Sequence, residues 1–553
     1  MSISSVSSVD TGFYWSNGLP RLSDEQRIAQ RNALIAQCKP VSEEDLPESW
    51  KVSSGYTSPG KDKAPETTVL SGANDASVAV TRHPAEGATS PSYTLRLGGE
   101  DSQLNVEFGG NLRIAKGEDG LYSVYFSDSN VTRTYAEDGS FTEISGDTTD
   151  ADGSRIFVST TPGETMQGGS GNDTFLVYGS CSHINTGEGD NTVILKNASS
   201  LARSDPSLTT GDGNNTITVE GAFSGTMSLG NGDNTVSIGT LTGTLSLGDG
   251  RNHVTIDSMN KGFGGALASI STGNGDSHFS IKKMGNGASI SNLFTTSSES
   301  SVAESARRTF AIGSMSDQAS ISLHSGTNSL DIGSMQDGAS VSQLFGDMNL
   351  NIQQMSGYAK AFCLSDRTSV TVRNMSGDTQ LSVAGQSSVQ IEEMAGSANV
   401  SVSDRPGGFL LLDPETGQLA GYESRPAEVY IGTMKDSTAL SLIGSGHTAA
   451  IASIQDDALI DSLNSSADSG TNIIIANADD ASSFPAENVT VHILSELTQE
   501  QLESVEALLV EWRREREEAG LPATKQDLWA SLNGEVSAEE EMAQRIALLL
   551  SWN

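Results

Sequence analysis

Cysteine is scarce. Only Cys38, Cys181 and Cys363 occur, far apart, which excludes a disulfide framework and any Cys-x-x-Cys zinc pair. Aromatic residues make up 5% of the chain, and basic residues are outnumbered 32 to 70 by acidic ones. The resulting formal charge of −38 repels nucleic acid and anionic lipid, so neither is expected as a partner. No apolar run is long enough to span a bilayer, which argues against membrane insertion. The N-terminal MSISSVSSVDTGFYWSNG has no basic start and no apolar core, so it does not read as a Sec signal peptide. It is Ser-rich and uncharged at its beginning, a composition that resembles type III export signals. The protein is therefore expected to be secreted by a non-Sec route, type I or type III.

Catalytic signatures are missing as well. There is no Gly-x-Ser-x-Gly elbow, His-Glu-x-x-His pair or Walker loop. The Gly-x-Gly pairs open no helix, so they are not dinucleotide sites. Basic residues are few between Gly168 and Ile493, and no pair of carboxylates stands out. A carbohydrate-active enzyme on a β-helix, with a groove beside 404–427, remains an alternative without a motif of its own.

What is present is repetition. LGNGDNTVSIGTLTGTLSLGDGRNHVTI, residues 229–256, says nearly the same thing twice. Aligned on its first Gly, the motif recurs at Gly169, Gly187, Gly211, Gly230, Gly248 and Gly273, in steps of 18, 24, 19, 18 and 25. The Gly signature then fades, but Ile-x-x-Met carries the repeat on through Met315, Met335, Met355, Met375, Met394 and Met434. Met259 and Met284 extend the series backward. The last step, of 40 residues, is either two turns or one turn with the inserted hairpin GGFLLLDPETGQLAGYESRP. A period of this size marks a solenoid.

Each turn holds two short strands with period-2 alternation, such as Thr235-Val-Ser-Ile238 and Ala319-Ser-Ile-Ser-Leu323. Two such strands and two corners account for 18 to 20 residues. Stacking predicts an amide ladder of Asn191, Asn215, Asn234 and Asn252 and an inward methionine column that fills the core. Asp317, Asp337 and Asp436 fall two residues after Met, where turn-forming Asp is expected to splay into solvent. Ser320, Ser322, Ser340, Ser342, Ser401 and Ser441 are expected to face outward. His253 and His278 occupy equivalent positions near Asp233 and Asp249, a pairing that suits a transition metal.

Residues 168–176, Gly-Gly-Ser-Gly-Asn-Asp-Thr-Phe-Leu, fit GGxGxDxUx residue for residue. In this the chain resembles the RTX, or hemolysin-type calcium-binding, repeat proteins. That resemblance implies a parallel β-roll, Ca2+ in the Gly-rich corners, and bacterial secretion, usually by a type I system. Only this copy carries the whole motif. At the Asp173 position the later copies have Asn191, Asn215, Asn234, Asn252 and Ser277, while acid returns beside it at Asp190, Asp212, Asp233, Asp249 and Asp276. These six aspartates are the candidate metal ligands.

The expected fold is thus all-β: a β-roll-like parallel β-solenoid over 166–494, with caps that block edge-to-edge growth. Residues 63–165 read as an antiparallel β-rich cap. Residues 495–553 read as a C-terminal helical cap of three helices, opened by Thr498, Thr524 and Ser537. Residues 1–62 read as unstructured apart from one helix begun by Ser23, a region suited to export or to a secretion chaperone. The expected role is structural or interactive, adhesin- or effector-like, with a Ser/Thr-rich face turned to a protein or glycan surface of host or matrix. A calcium-dependent RTX-like module is the other alternative.

Overall fold

The computed structural model describes residues 65–493 and Arg514, less 73, 85–90, 100–101, 103, 150–152, 162, 180–182, 199–205, 263–264, 266, 293–305, 366, 405–410, 413–418, 422–425, 445, 464–470 and 479–488. The expected N-terminal helix lies outside these residues, and of the expected C-terminal helices only Arg514 is described, in helical conformation. Among the described residues of 65–493 the regular elements are strands.

From Ile156 onward the chain winds as a parallel β-solenoid. Two sheets run along its axis. One holds fourteen short strands, from Thr165–Gln167 to Leu459–Leu463. The other holds longer strands, from Ile156–Ser159 through Thr327–Met335 to Val489–Ile493. Coiling begins one strand earlier than the repeat indicated, because Ile156–Ser159 pairs in parallel with Thr174–Tyr178.

Alternation decides what goes inside. In Arg307–Met315, Arg308, Phe310, Ile312 and Met315 are buried, while Arg307 and Thr309 are exposed. Ile312 and Met315 are three residues apart, so an unbroken strand would put them on opposite faces. The strand bends instead. Ile312 pairs with Ile332 and Ser314 with Ser334, while the residue between has no register partner. The same skip recurs at Gly239, Asp257, Lys282, Gln353, Arg373 and Gly432, and each time it returns the next column to the core. Met259, Met284, Met315, Met335, Met355, Met375, Met394 and Met434 therefore stack in register, each at most 1% exposed. Phe279 and Phe310 stack likewise, rings 4.8 Å apart. Met394 pairs with Met434 directly, so the 40-residue step is one turn with an insertion, and Leu411–Leu412 and Leu419–Gly421 form its hairpin.

After Met315, Met335 and Met434, and after Ile454 in the same column, the chain turns through the left-handed region. Asp317, Asp337, Asp436 and Asp456 sit there at φ 51°, 53°, 59° and 57°, a conformation their short side chains tolerate. The acidic column is thus a turn device.

The N-terminal strands do two jobs. Asn111–Lys116, Tyr122–Phe126, Val131–Tyr135 and Phe141–Ser145 form an antiparallel series. Its first member pairs with Ile156–Ser159 and occupies the edge of the first turn. A second antiparallel sheet, Glu66–Gly72, Ala76–His83, Ser92–Leu97 and Asn105–Phe108, shares a core with the outer side of the first long strands. Phe175 and Val177 point into the solenoid, and Leu176 and Tyr178 into this second core. That is why Thr174–Tyr178 is buried on both faces. Thr174 Oγ1 donates to the Ser71 carbonyl at 3.1 Å, and Lys196 bridges Glu66 at 2.9 Å, so the sheet is pinned over the side of the coil.

Candidate functional site

The Gly-rich corner stacks into three hydrogen-bonded columns. In the first, exposed column, Asp212 N donates to Glu188 Oε2 (3.0 Å), Asn231 N to Asp212 Oδ1 (2.7 Å), Asp249 N to Asn231 Oδ1 (2.9 Å) and Asn274 N to Asp249 Oδ1 (2.7 Å). In the second, Asp190 N donates to Asn172 Oδ1, Asn214 N to Asp190 Oδ1, Asp233 N to Asn214 Oδ1 and Arg251 N to Asp233 Oδ1, all within 2.9 Å. Arg307 N donates to Asp276 Oδ1 at 2.7 Å. Glu188, Asp212, Asn231 and Asp249 in the first column, and Asn172, Asp190, Asn214, Asp233 and Asp276 in the second, each satisfy a backbone N–H of the following turn.

The third column is buried and runs the other way. Asp173 N donates to Asn191 Oδ1 (2.8 Å), Asn191 N to Asn215 Oδ1 (3.1 Å) and Asn215 N to Asn234 Oδ1 (3.0 Å). Each Asn amide also donates to corner carbonyls of its own turn: Asn191 to Gly189 at 2.9 Å, Asn215 to Gly213 at 3.0 Å, Asn234 to Gly232 at 3.1 Å. A carboxylate could not make those donations, which explains Asn at this position. Asp173 fits because it faces donors, the N–H groups of Arg155 (2.7 Å) and Gly169 (2.9 Å). Burial pushes its pKa above the ordinary carboxylate value, and those donors and the Arg155 charge offset part of the rise.

Close stacking also fixes the glycines. A Cβ on Gly187 would lie 1.9 Å from the Gly169 carbonyl oxygen, and one on Gly275 2.1 Å from that of Gly250.

The six candidate ligands therefore divide among three columns. Asp173 is interior, Asp212 and Asp249 share one exposed column, and Asp190, Asp233 and Asp276 share the other. Asp233 is further engaged by Arg251, whose guanidinium holds its pKa below the ordinary value. Among the described residues, no three His, Cys, Asp or Glu side chains gather into a group able to hold a metal.

The outer face of the short-strand sheet is different in kind. Ser207, Thr226, Thr244, Ser269, Ser289, Ser320 and Ser340 align in one register column. Thr209, Ser228, Ser246, Ser271, Ser291, Ser322 and Ser342 align in the next. At about 4.8 Å per turn the field is about 29 Å long, and it carries no charge. Its inward neighbours, such as Leu245, Ile270 and Ile290, are buried and anchor it. His183 and Asn185 border it at one end, Lys360 and Phe362 at the other. Ser401 and Ser441 pair with each other beyond that border and do not continue it. The serines expected to face outward near 320–342 are thus the end of a larger field. The signal for the rest is the triads TMS, TLS, SIS and SIS at 226–228, 244–246, 269–271 and 289–291.

Compared with family models, with curated proteins and with solved structures, the chain finds no match.

Proposed function

We propose that this protein acts by binding, as a secreted bacterial solenoid that presents its hydroxyl field to a neutral protein or glycan surface of host or matrix, in the manner of an adhesin or effector. The observation that carries the reading is the field itself: fourteen hydroxyls in two uncharged columns on a chain whose net charge is −38. A hydroxyl both donates and accepts, so a fixed array of them suits a partner rich in the same groups. The rigid coil behind it limits the ordering cost of binding. Charge elsewhere keeps anionic partners away.

The test is binding of the labelled full chain to glycan arrays and extracellular matrix. Ser269→Lys with Ser289→Lys, at the centre of the field, should abolish capture and leave the melting temperature unchanged. Capture that survives both substitutions removes this face from the reading. Export is tested separately, by fusing residues 1–62 to a reporter in a bacterium with a type I or type III apparatus. A reporter retained in the cytoplasm removes the proposed route.

A further inference from the structure

His253 and His278 are register partners on the exposed side of the long-strand sheet. Their rings lie 5.0 Å apart, centroid to centroid, and within 14° of parallel. We infer that these two imidazoles form a chelating site for a divalent transition-metal ion of the copper or nickel type, with water completing the coordination sphere.

Two observations converge. The two rings stack on one face of the sheet, one turn apart, near enough for both to reach a single ion once they rotate out of the stack. His278 Nδ1 lies 2.5 Å from Thr309 Oγ1 on the following strand. When Nδ1–H donates to that hydroxyl, the tautomer is fixed and the lone pair is left on Nε2, the arrangement that metal-binding histidines use.

The surroundings are permissive. Thr235 and Thr309 flank the pair along its column, and Thr255 and Ser280 lie beside it. The neighbouring cation Arg251 is neutralised by Asp233. Asp249, whose Oδ1 accepts the Asn274 N–H, is not needed as a ligand. Imidazole favours the softer ions over Ca2+, so this site is chemically separate from the carboxylate corner. It is also independent of the hydroxyl field on the other sheet.

The test uses the untagged full-length chain, stripped of metal and titrated with NiCl2 by calorimetry. One ion should bind per chain. H253A and H278A should each weaken binding at least about tenfold. T309V, which keeps both imidazoles, should weaken it about 10-fold or more, as loss of an orienting partner does. H324A is the control and should change nothing. With Cu2+, electron paramagnetic resonance should show hyperfine coupling to two imidazole nitrogens. His253, His278 and Thr309 are exposed and His324 is half-buried, and an unchanged melt verifies folding. Undiminished binding in H253A/H278A, coupling to a single nitrogen, or displacement of Ni2+ by millimolar Ca2+ would each overturn the assignment.

Discussion

Asn234 Oδ1 accepts two hydrogen bonds from Asn215, the backbone N–H at 3.0 Å and the side-chain amide at 3.1 Å. One buried oxygen thus ties two successive turns together twice. Asn234 in turn donates to Asn252 Oδ1 at 3.1 Å and to the Gly230 and Gly232 carbonyls at 3.2 and 3.1 Å. The inner seam of the corner is a chain of such exchanges.

Removing one link should be costly. N234A strands the buried Asn215 N–H and removes the donor to the Gly230 carbonyl and to Asn252 Oδ1, and should lower stability by about 3 kcal/mol or more, at about 1–3 kcal/mol per orphaned group. N234D keeps the acceptor but turns a carboxylate oxygen on the carbonyls, so it should be no milder. Hydrogen exchange should show the loss centred on the turns at 215, 234 and 252. Equal protection in the variant and the parent would refute the seam's role.

The methionine column should behave as packing. Met335 is fully buried and stacked between Met315 and Met355. M335A should cost about 2–5 kcal/mol and M335L less than about 1.5 kcal/mol. Urea unfolding read by hydrogen exchange is the suitable measure, because a long repeat array need not melt as one unit. Comparable losses for Leu and Ala would contradict a packing role.

His447 makes stability depend on pH. It is fully buried, accepts the Ala427 N–H on Nδ1 at 3.1 Å, and donates from Nε2 to the Ile443 carbonyl at 3.0 Å. Burial holds its pKa below the ordinary 6.5. Below about 6.5 the unfolded chain binds a proton that the folded one refuses, so this contribution is intact above that pH and falls away as pH drops through the window. His278 is shifted in the same direction and adds to the effect. H447Q retains a donor and an acceptor but does not titrate. Its urea midpoint should fall less between pH 7.5 and 5.5 than that of the parent, and identical falls would exclude His447 as a source.

Calcium should matter little to folding. Asp190, Asp212, Asp233, Asp249 and Asp276 each accept a backbone N–H through one oxygen, so the corner is satisfied by its own chain. Melting with EDTA and with millimolar CaCl2 should give the same transition temperature. A rise of several degrees with CaCl2, lost in D212N/D249N, would instead assign the ion to the exposed column.

Much of the coil was legible locally. Alternation at 235–238 and 319–323, the spacing of Ile-x-x-Met and the recurring Gly-x-Gly needed only neighbouring residues to be read. Less legible was the double burial of Thr174–Tyr178. Its apolar Leu176 and Tyr178 match the outward positions of later strands, where Ser237 and Thr255 are polar, and that contrast was the only hint of a sheet lying over the coil. Which backbone N–H each corner carboxylate accepts was not legible either, because a motif shows which residues recur and hides what stacks against them.

By itself, then, the sequence determined that the chain stacks in turns of 18 to 20 residues with isoleucine, valine and methionine inside. Period-2 burial and glycine corners are properties of short segments, and each turn repeats them. Only the tertiary structure decided which way each column of side chains bonds, how far the hydroxyl field extends, and that the N-terminal strands cover both the edge and the flank of the first turns. Those are relations between residues 18 or more positions apart. They depend on register between turns and on which groups stacking has already satisfied, and no single turn carries that information.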